Sequence, residues 1–321
     1  MTAKIAGIGA YVPERIVTND DLAKIVETSD EWIYSRTGIR ERHISTGEGT
    51  KELATEAARR ALLASGVRPE DLDLIILGTS SPDHNFPSDA CGVQAALGAV
   101  NAVAFDISAA CAGFIFAMNI VQGFFMAGVY KTALIIGAET LSKVTDWGDR
   151  STCVLFGDGA GAAVLKSGED GGILDMVMGA DGTKGSALSC TSRTLGNFLL
   201  GTAPQTGFMA MDGQEVFRFA VRKIPESVEL LLKKTGISRQ EIKYYVLHQA
   251  NERIIEAAAK RLGEPMEKFP TSIARYGNTS SASIPLLLNE MQGRGMLEKG
   301  DTLILSGFGA GMTWGAVLLE W

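Results

Sequence analysis

The chain repeats itself, and that constrains its fold more than any other feature. The run Gly66-Val67-Arg68-Pro69-Glu70-Asp71-Leu72-Asp73-Leu74-Ile75-Ile76-Leu77 lines up with Gly236-Ile237-Ser238-Arg239-Gln240-Glu241-Ile242-Lys243-Tyr244-Tyr245-Val246-Leu247, 170 residues downstream. Each copy follows an amphipathic helical pattern and enters an apolar run. A second echo joins Phe156-Gly157-Asp158-Gly159 to Phe308-Gly309-Ala310-Gly311 at a spacing of 152. Two echoes in the same order imply a duplicated unit whose loops differ in length. The boundary falls near Gly168–Gly172, giving halves 1–170 and 171–321. Leu74–Gly78, Ala102–Ile107 and Thr132–Gly137 are short apolar runs that read as buried strands. Helical patterns lie between them, at Lys51–Ser65 and Cys111–Met126, so the class is α/β. No Pro/Ser-rich linker parts the halves, which are therefore expected to share an interface.

A duplicated α/β unit predicts where a site should lie. Ligands in such sheets sit beyond the carboxyl ends of strands, and equivalent ends should meet near a pseudo-twofold axis. The 170-residue shift sets Asn278–Ser283 against Ser108–Gly113, and both segments open a helix. His248 follows the apolar strand Tyr244–Leu247.

Three groups at those ends can do chemistry. Cys111, in Asp106-Ile107-Ser108-Ala109-Ala110-Cys111-Ala112-Gly113, stands where a strand turns into a helix. Free N–H groups at a helix start favour a thiolate, and the small neighbours leave room for a carbonyl. His248 can hold an oxyanion or exchange protons. Asn278, in Tyr276-Gly277-Asn278-Thr279-Ser280, offers amide donors that do not titrate. Taken singly, each has a plainer reading: a small buried hydrophobe, a structural histidine, a turn-capping asparagine. Cys91 and Cys153 lie at no strand-to-helix turn and read as core.

Composition excludes several other classes. Across 321 residues the formal net charge is −7, which disfavours general nucleic-acid binding. The stretch Ala109–Met118 is about half the length needed to cross a bilayer. Residues 1–10 lack the layout of a signal peptide, so a cytoplasmic location is expected. Neither the four cysteines nor the three histidines have metal-ligand spacing, so no metal is expected.

Together, Ala109-Ala110-Cys111-Ala112-Gly113, His248-Gln249-Ala250-Asn251 and Gly277-Asn278-Thr279-Ser280 resemble the Cys-His-Asn set of the β-ketoacyl-acyl-carrier-protein synthase III family. Trp32-Ile33-Tyr34-Ser35-Arg36-Thr37-Gly38-Ile39 and the ending Gly307-Phe308-Gly309-Ala310-Gly311-Met312-Thr313-Trp314-Gly315 are similar to that family too. The resemblance runs from Ile5 to the C-terminus. It implies a thiolase-like five-layer αβαβα fold, internally duplicated with two mixed β-sheets, and a homodimer. It also implies acyl transfer from acetyl-CoA, or another short acyl-CoA, to Cys111, followed by decarboxylative condensation with malonyl-acyl-carrier-protein and no cofactor. His248 and Asn278 would hold the malonyl thioester carbonyl, and the backbone N–H groups of Cys111 and Ala310 would form an oxyanion hole. The resemblance further assigns CoA or pantetheine contacts to Trp32, Arg36, Arg150, Gly213, Phe217 and Asn251. Phe86 would reach into the partner's acyl pocket and favour a short primer.

An acidic carrier protein needs a basic docking face. Arg253, Lys260 and Arg261 recur at helical spacing, and Arg218 with Arg222 forms an i, i+4 pair; an ordinary solvated face is the alternative. Degradative thiolases, with a second cysteine near the C-terminus, are disfavoured because no cysteine follows Cys190. Polyketide-type ketosynthases and acyltransferases on the same scaffold remain open. So does a cysteine acyl hydrolase, with His248 as general base.

Overall fold

The structure, a computed structural model, describes residues 1–321. Nine strands build two mixed sheets. The first holds β1 (Thr2–Tyr11), β2 (Leu74–Gly78), β3 (Val103–Ile107), β4 (Thr132–Glu139) and β5 (Gly159–Gly168), in the order β1-β5-β4-β2-β3. The second holds β6 (Gly172–Ala180), β7 (Ile242–Leu247), β8 (Thr302–Gly309) and β9 (Thr313–Glu320), in the order β7-β8-β9-β6. In both sheets a parallel pair is continued by two antiparallel pairings. The helices that position the site are α1 (Asp30–Thr37), α2 (Thr50–Ser65), α3 (Asp89–Leu97), α4 (Gly113–Met126), α5 (Gly213–Thr235), α6 (Glu252–Leu262) and α7 (Ser283–Gly293).

Five layers follow from how these elements bury their apolar faces. Strand side chains alternate between faces. On β2, Leu74 and Ile76 point into the central layer, while Ile75 and Leu77 point to the outside. The central layer is α4 and α7, where Phe114, Met118, Phe125, Leu287 and Met291 pack between the sheets against Leu303 and Leu305. A helix covered by sheets on both sides must be apolar nearly all round, which explains the sequence Gly-Phe-Ile-Phe-Ala-Met of α4. The outer layers are α2 with α3 on the first sheet, and α5 with α6 on the second. Each Leu, Ile or Phe so buried contributes roughly 1.5–3 kcal/mol.

The repeat is geometric. Shifting by 170 carries β4 onto β8, the last residue of α2 onto that of α5, and the first residue of α4 onto that of α7. The smaller spacing of the second echo has a simple cause. Residues 140–158 join β4 to β5, whereas only residues 310–312 join β8 to β9.

The repeat is incomplete at one place. The shift places 273–277 opposite β3, yet Ile273–Tyr276 is a helical turn and the second sheet stops at four strands. Backbone groups there pair with the other half instead: Arg40 N–H to Ala274 O, and Asn278 N–H to Leu155 O. Two expectations are corrected. Of the two cysteines read as core, only Cys153 is buried, in the short helix Arg150–Cys153, whereas Cys91 on α3 is exposed. The long helix begins at Gly113, and Cys111 occupies a 3-10 turn before it.

Where the halves meet, side chains would not fit. A Cβ on Gly137 would overlap the Ser281 carbonyl. We expect Gly137→Ala to destabilise the protein by about 2–3 kcal/mol through overpacking, read as a lower denaturant midpoint. An unchanged midpoint would mean the halves have slack there.

Candidate active site

The chain enters α4 and α7 through the same tight turn. Ala110 and Ser280, related by the 170-residue shift, both adopt left-handed backbone conformations, with φ of 47° and 51°. Such conformations cost non-glycine residues energy and persist where the surroundings enforce them. The first turn aims Cys111 at the junction between the halves. Gly309, at the end of β8, comes so close that a Cβ there would lie 2.6 Å from the Cys111 nitrogen. The Thr313 hydroxyl shares its one hydrogen between the carbonyls of Ala109 (3.0 Å) and Ala310 (3.2 Å), tying the two loops together.

Cys111, His248 and Asn278 line one cavity of about 120 Å³. His248 comes from the end of β7, as the sequence pattern anticipates, and Asn278 from the loop before the second tight turn. The Ser280 N–H donates to Asn278 Oδ1 at 2.9 Å, which turns the amide Nδ2 away from that bond. The Phe308 ring meets the His248 ring edge-on, centroids 5.3 Å apart. Leu155, Phe156, Met211 and Val216 complete the apolar wall. The wall is anchored by buried Arg42, which donates to Val154 O (2.7 Å) and Asn19 Oδ1 (2.8 Å).

Burial sets the protonation of the site. It pushes the Cys111 thiol up to about 12; Glu139 adds to the rise, while the Ser280 hydroxyl and the cysteine's own N–H pull the other way. The gain expected from a helix start is thus outweighed by desolvation. Burial also lowers His248 to about 3, so the imidazole is neutral near pH 7. Glu139, fully buried, accepts from Ser81 Oγ (2.6 Å), Thr79 Oγ1 (3.2 Å), Ser80 N (3.0 Å) and Ser281 Oγ (3.1 Å). Desolvation raises its pKa. Sequence reasoning missed Glu139, Ser280, Phe308 and Thr313. Only the 170-residue shift, which pairs Glu139 with Gly309, offered a signal for the first.

A second cavity, about 350 Å³, shares Cys111, Phe156 and Leu188 with the first and is lined also by Leu141, Cys190, Met209 and Ala310. Gly213, Phe217 and Asn251 line the first cavity with the three central residues. Trp32, Arg36 and Arg150 stand apart as a cluster at its approach. The guanidiniums of Arg36 and Arg150 lie 4.6 and 4.7 Å from the Trp32 ring centroid. Asn251 links the two groups by donating from Nδ2 to Arg36 O at 3.0 Å. Phe86 is outside both cavities and 85% exposed.

The basic residues divide into two kinds. Arg218 pairs with Glu215 at 3.2 Å, and Arg222 lies 3.9 Å from Glu226. Arg253, Lys260 and Arg261 are exposed on α6 with no carboxylate partner, and Glu256 shares their face. Arg253 donates to Ser35 O at 2.8 Å.

The chain is similar to known proteins along its whole length. Residues 105–182 match the model of 3-oxoacyl-[acyl-carrier-protein (ACP)] synthase III, and residues 232–321 match its C-terminal model. A beta-ketoacyl-[acyl-carrier-protein] synthase III of Clostridium acetobutylicum is 50% identical over 321 residues, covering 100% of this chain and 99% of the relative. Among solved structures, the 3-oxoacyl-[acyl-carrier-protein] synthase III of Aquifex aeolicus superposes with a TM-score of 0.92 at 47% identity, covering 99% of this chain and 100% of that one. The Pseudomonas aeruginosa enzyme of the same name gives 0.93 at 41%, covering 100% and 98%. With the duplicated five-layer fold and the strand-end cavity, these likenesses place the chain in the 3-oxoacyl-[acyl-carrier-protein] synthase III family.

Proposed function

We propose that this enzyme joins a short acyl-CoA, acetyl-CoA in the simplest case, to malonyl-acyl-carrier-protein, the reaction that starts fatty-acid synthesis. The observation that carries the reading is the single cavity lined by Cys111, His248 and Asn278. Cys111 Sγ attacks the acyl-CoA carbonyl, the thiol proton passes to the departing CoA sulfur, and an acyl-enzyme remains. Malonyl-carrier thioester then occupies the cavity. As CO2 departs, negative charge grows on the thioester oxygen, where His248 and Asn278 donate hydrogen bonds. The carbanion attacks the acyl group, the C–S bond breaks as the 3-oxoacyl product forms, and Cys111 leaves as a thiolate that takes a proton from water to restore the thiol. The oxyanion of each tetrahedral intermediate sits between the N–H groups of Cys111 and Ala310, each donor contributing about 3 kcal/mol. Every step uses groups of this chain and its two substrates, so no cofactor is invoked.

Binding follows the layout of the site. Trp32, Arg36 and Arg150 offer an aromatic face and two cations to the CoA nucleotide. Gly213, Phe217 and Asn251 line the pantetheine path to Cys111. The acyl group enters the second cavity, beyond Cys111. Its outer part is closed by Phe86 of a second copy, leaving room for a short primer. A homodimer is supported by β3, a sheet-edge strand with Val103 exposed, and by the exposed apolar ring of Phe86; unpaired edges are templates for another chain. Arg253, Lys260 and Arg261, with Arg218, receive the carrier protein. No helix is long and apolar enough to cross a membrane, in keeping with a proposed cytoplasmic location.

Acetyl-CoA and malonyl-carrier protein should yield CO2 and 3-oxobutanoyl-carrier. Cys111→Ala should lower that rate by on the order of 10⁴; full activity in the variant would sink the reading. Asn278→Ala should slow condensation by about 10²–10³, while acetylation of Cys111, followed by mass, persists.

Arg253→Glu should raise KM for malonyl-carrier protein by about tenfold and leave acetylation by acetyl-CoA unchanged. Equal loss of both would assign Arg253 to folding instead.

With its pKa raised to about 12, the free Cys111 thiol is protonated at neutral pH and loses its proton only as pH climbs. Alkylation of Cys111 in the empty enzyme should therefore rise about tenfold per pH unit between pH 7 and 10, tracked by peptide mass. A plateau below pH 8 would contradict the effect of burial.

A further inference from the structure

The imidazole of the site has one fixed partner. His248 Nδ1 lies 2.6 Å from the Ser283 hydroxyl, and both groups are buried. The Gln249 N–H donates to the same hydroxyl oxygen at 3.3 Å. Thr37, Thr55 and Ser227 donate their hydroxyl protons to the carbonyl four residues back in their helices. Ser283, first residue of α7, makes no such bond, so Nδ1 is the one acceptor its proton has. Were Nδ1 protonated, the hydroxyl would accept twice and its own hydrogen would be orphaned. A buried hydroxyl hydrogen left without an acceptor is destabilising, so that arrangement is disfavoured. In a neutral imidazole the hydrogen bond at one nitrogen decides which nitrogen carries the proton. Here the proton falls on Nε2, which has no partner within the protein.

The duplication supplies an internal control. Shifting by 170 carries Gly78 onto His248 and Gly113 onto Ser283. In the first half these two glycines pack backbone to backbone, with a Cβ on Gly78 placed 3.0 Å from the Gly113 carbonyl carbon. The hydroxyl is present in the half that has the imidazole and absent in the half that lacks it.

We propose that Ser283 is a positioning residue that holds His248 as its Nε2–H tautomer, making the imidazole a hydrogen-bond donor in the cavity and not a base for the Cys111 thiol. The proposal rests on the condensation reading above. It divides the two half-reactions. Acylation, whose thiol proton leaves with CoA, is indifferent to the tautomer. Decarboxylation needs Nε2–H beside Asn278 Nδ2.

The test uses the full-length enzyme labelled with [15N]histidine, as wild type, Ser283→Ala and Ser283→Thr. Long-range 1H–15N spectra should show wild-type His248 protonated at Nε2. Ser283→Ala should disturb that signature and slow condensation by about 10–100-fold, the usual effect of removing the partner that orients a functional histidine. Acetylation of Cys111 should stay within about twofold of wild type, and Ser283→Thr should restore both tautomer and condensation. A wild-type Nδ1–H signature overturns the proposal. So does a Ser283→Ala enzyme with unchanged condensation, or one slowed equally in both half-reactions. If the alanine variant fails to fold, the wild-type and threonine spectra decide alone. Absence of condensation product from wild type would instead overturn the functional reading, while the spectra still report the tautomer.

Discussion

Close backbone contact between the two halves is the constraint on which the structure depends. Gly137 lies against the Ser281 carbonyl, and Gly309 against the Cys111 nitrogen. Both glycines sit on the central strands β4 and β8, and neither is a turn residue. They carry no side chain because backbone from the other half occupies that space. This approach brings strand ends from separate sheets to the lining of one cavity. It also buries Cys111, His248 and Asn278 between the two halves.

That burial dictates the chemical style of the site. Desolvation pushes the thiol up and the imidazole down, so the resting groups are a thiol, a neutral ring and an amide. Where the three cavity groups carry no charge, a developing anion is stabilised through oriented dipoles. Orientation here comes from occupying the wrong end of each donor group. The Ser280 N–H takes Asn278 Oδ1, leaving Nδ2 free, and the Ser283 hydroxyl contacts His248 Nδ1. Both partners belong to the segment that opens α7.

Duplication explains why the site is single although the fold is double. Where the second half has Ser281, the first has Cys111, and where the second has His248 and Ser283, the first has Gly78 and Gly113. The Ser281 hydroxyl shares its one hydrogen between Gly78 O at 2.8 Å and Glu139 Oε1 at 3.1 Å. The position related to Cys111 is thus closed by hydrogen bonds that stitch the halves together. The scaffold has two equivalent strand-end turns, one opening on the cavity and the other cohesive.

The sequence alone determined the α/β class, the repeat, the strand runs and the three residues that share the cavity. These are written in local patterns: alternation of apolar residues, small residues at turns, and self-similarity at a fixed spacing. Tertiary structure decided the rest. Cys91 and Cys153 look alike in the sequence, but α3 turns one to solvent while the other faces a core. The turn at Ile273–Tyr276 follows from backbone pairing with Arg40 and Leu155, more than a hundred residues away along the chain in each case. The helix start that should favour a thiolate loses to burial, because desolvation depends on everything packed around Cys111. Ser283 and Glu139 have no local signature, since their importance lies in which buried atoms they meet. Hydrogen-bond partnership and desolvation are properties of assembled neighbours, and a linear chain does not contain them.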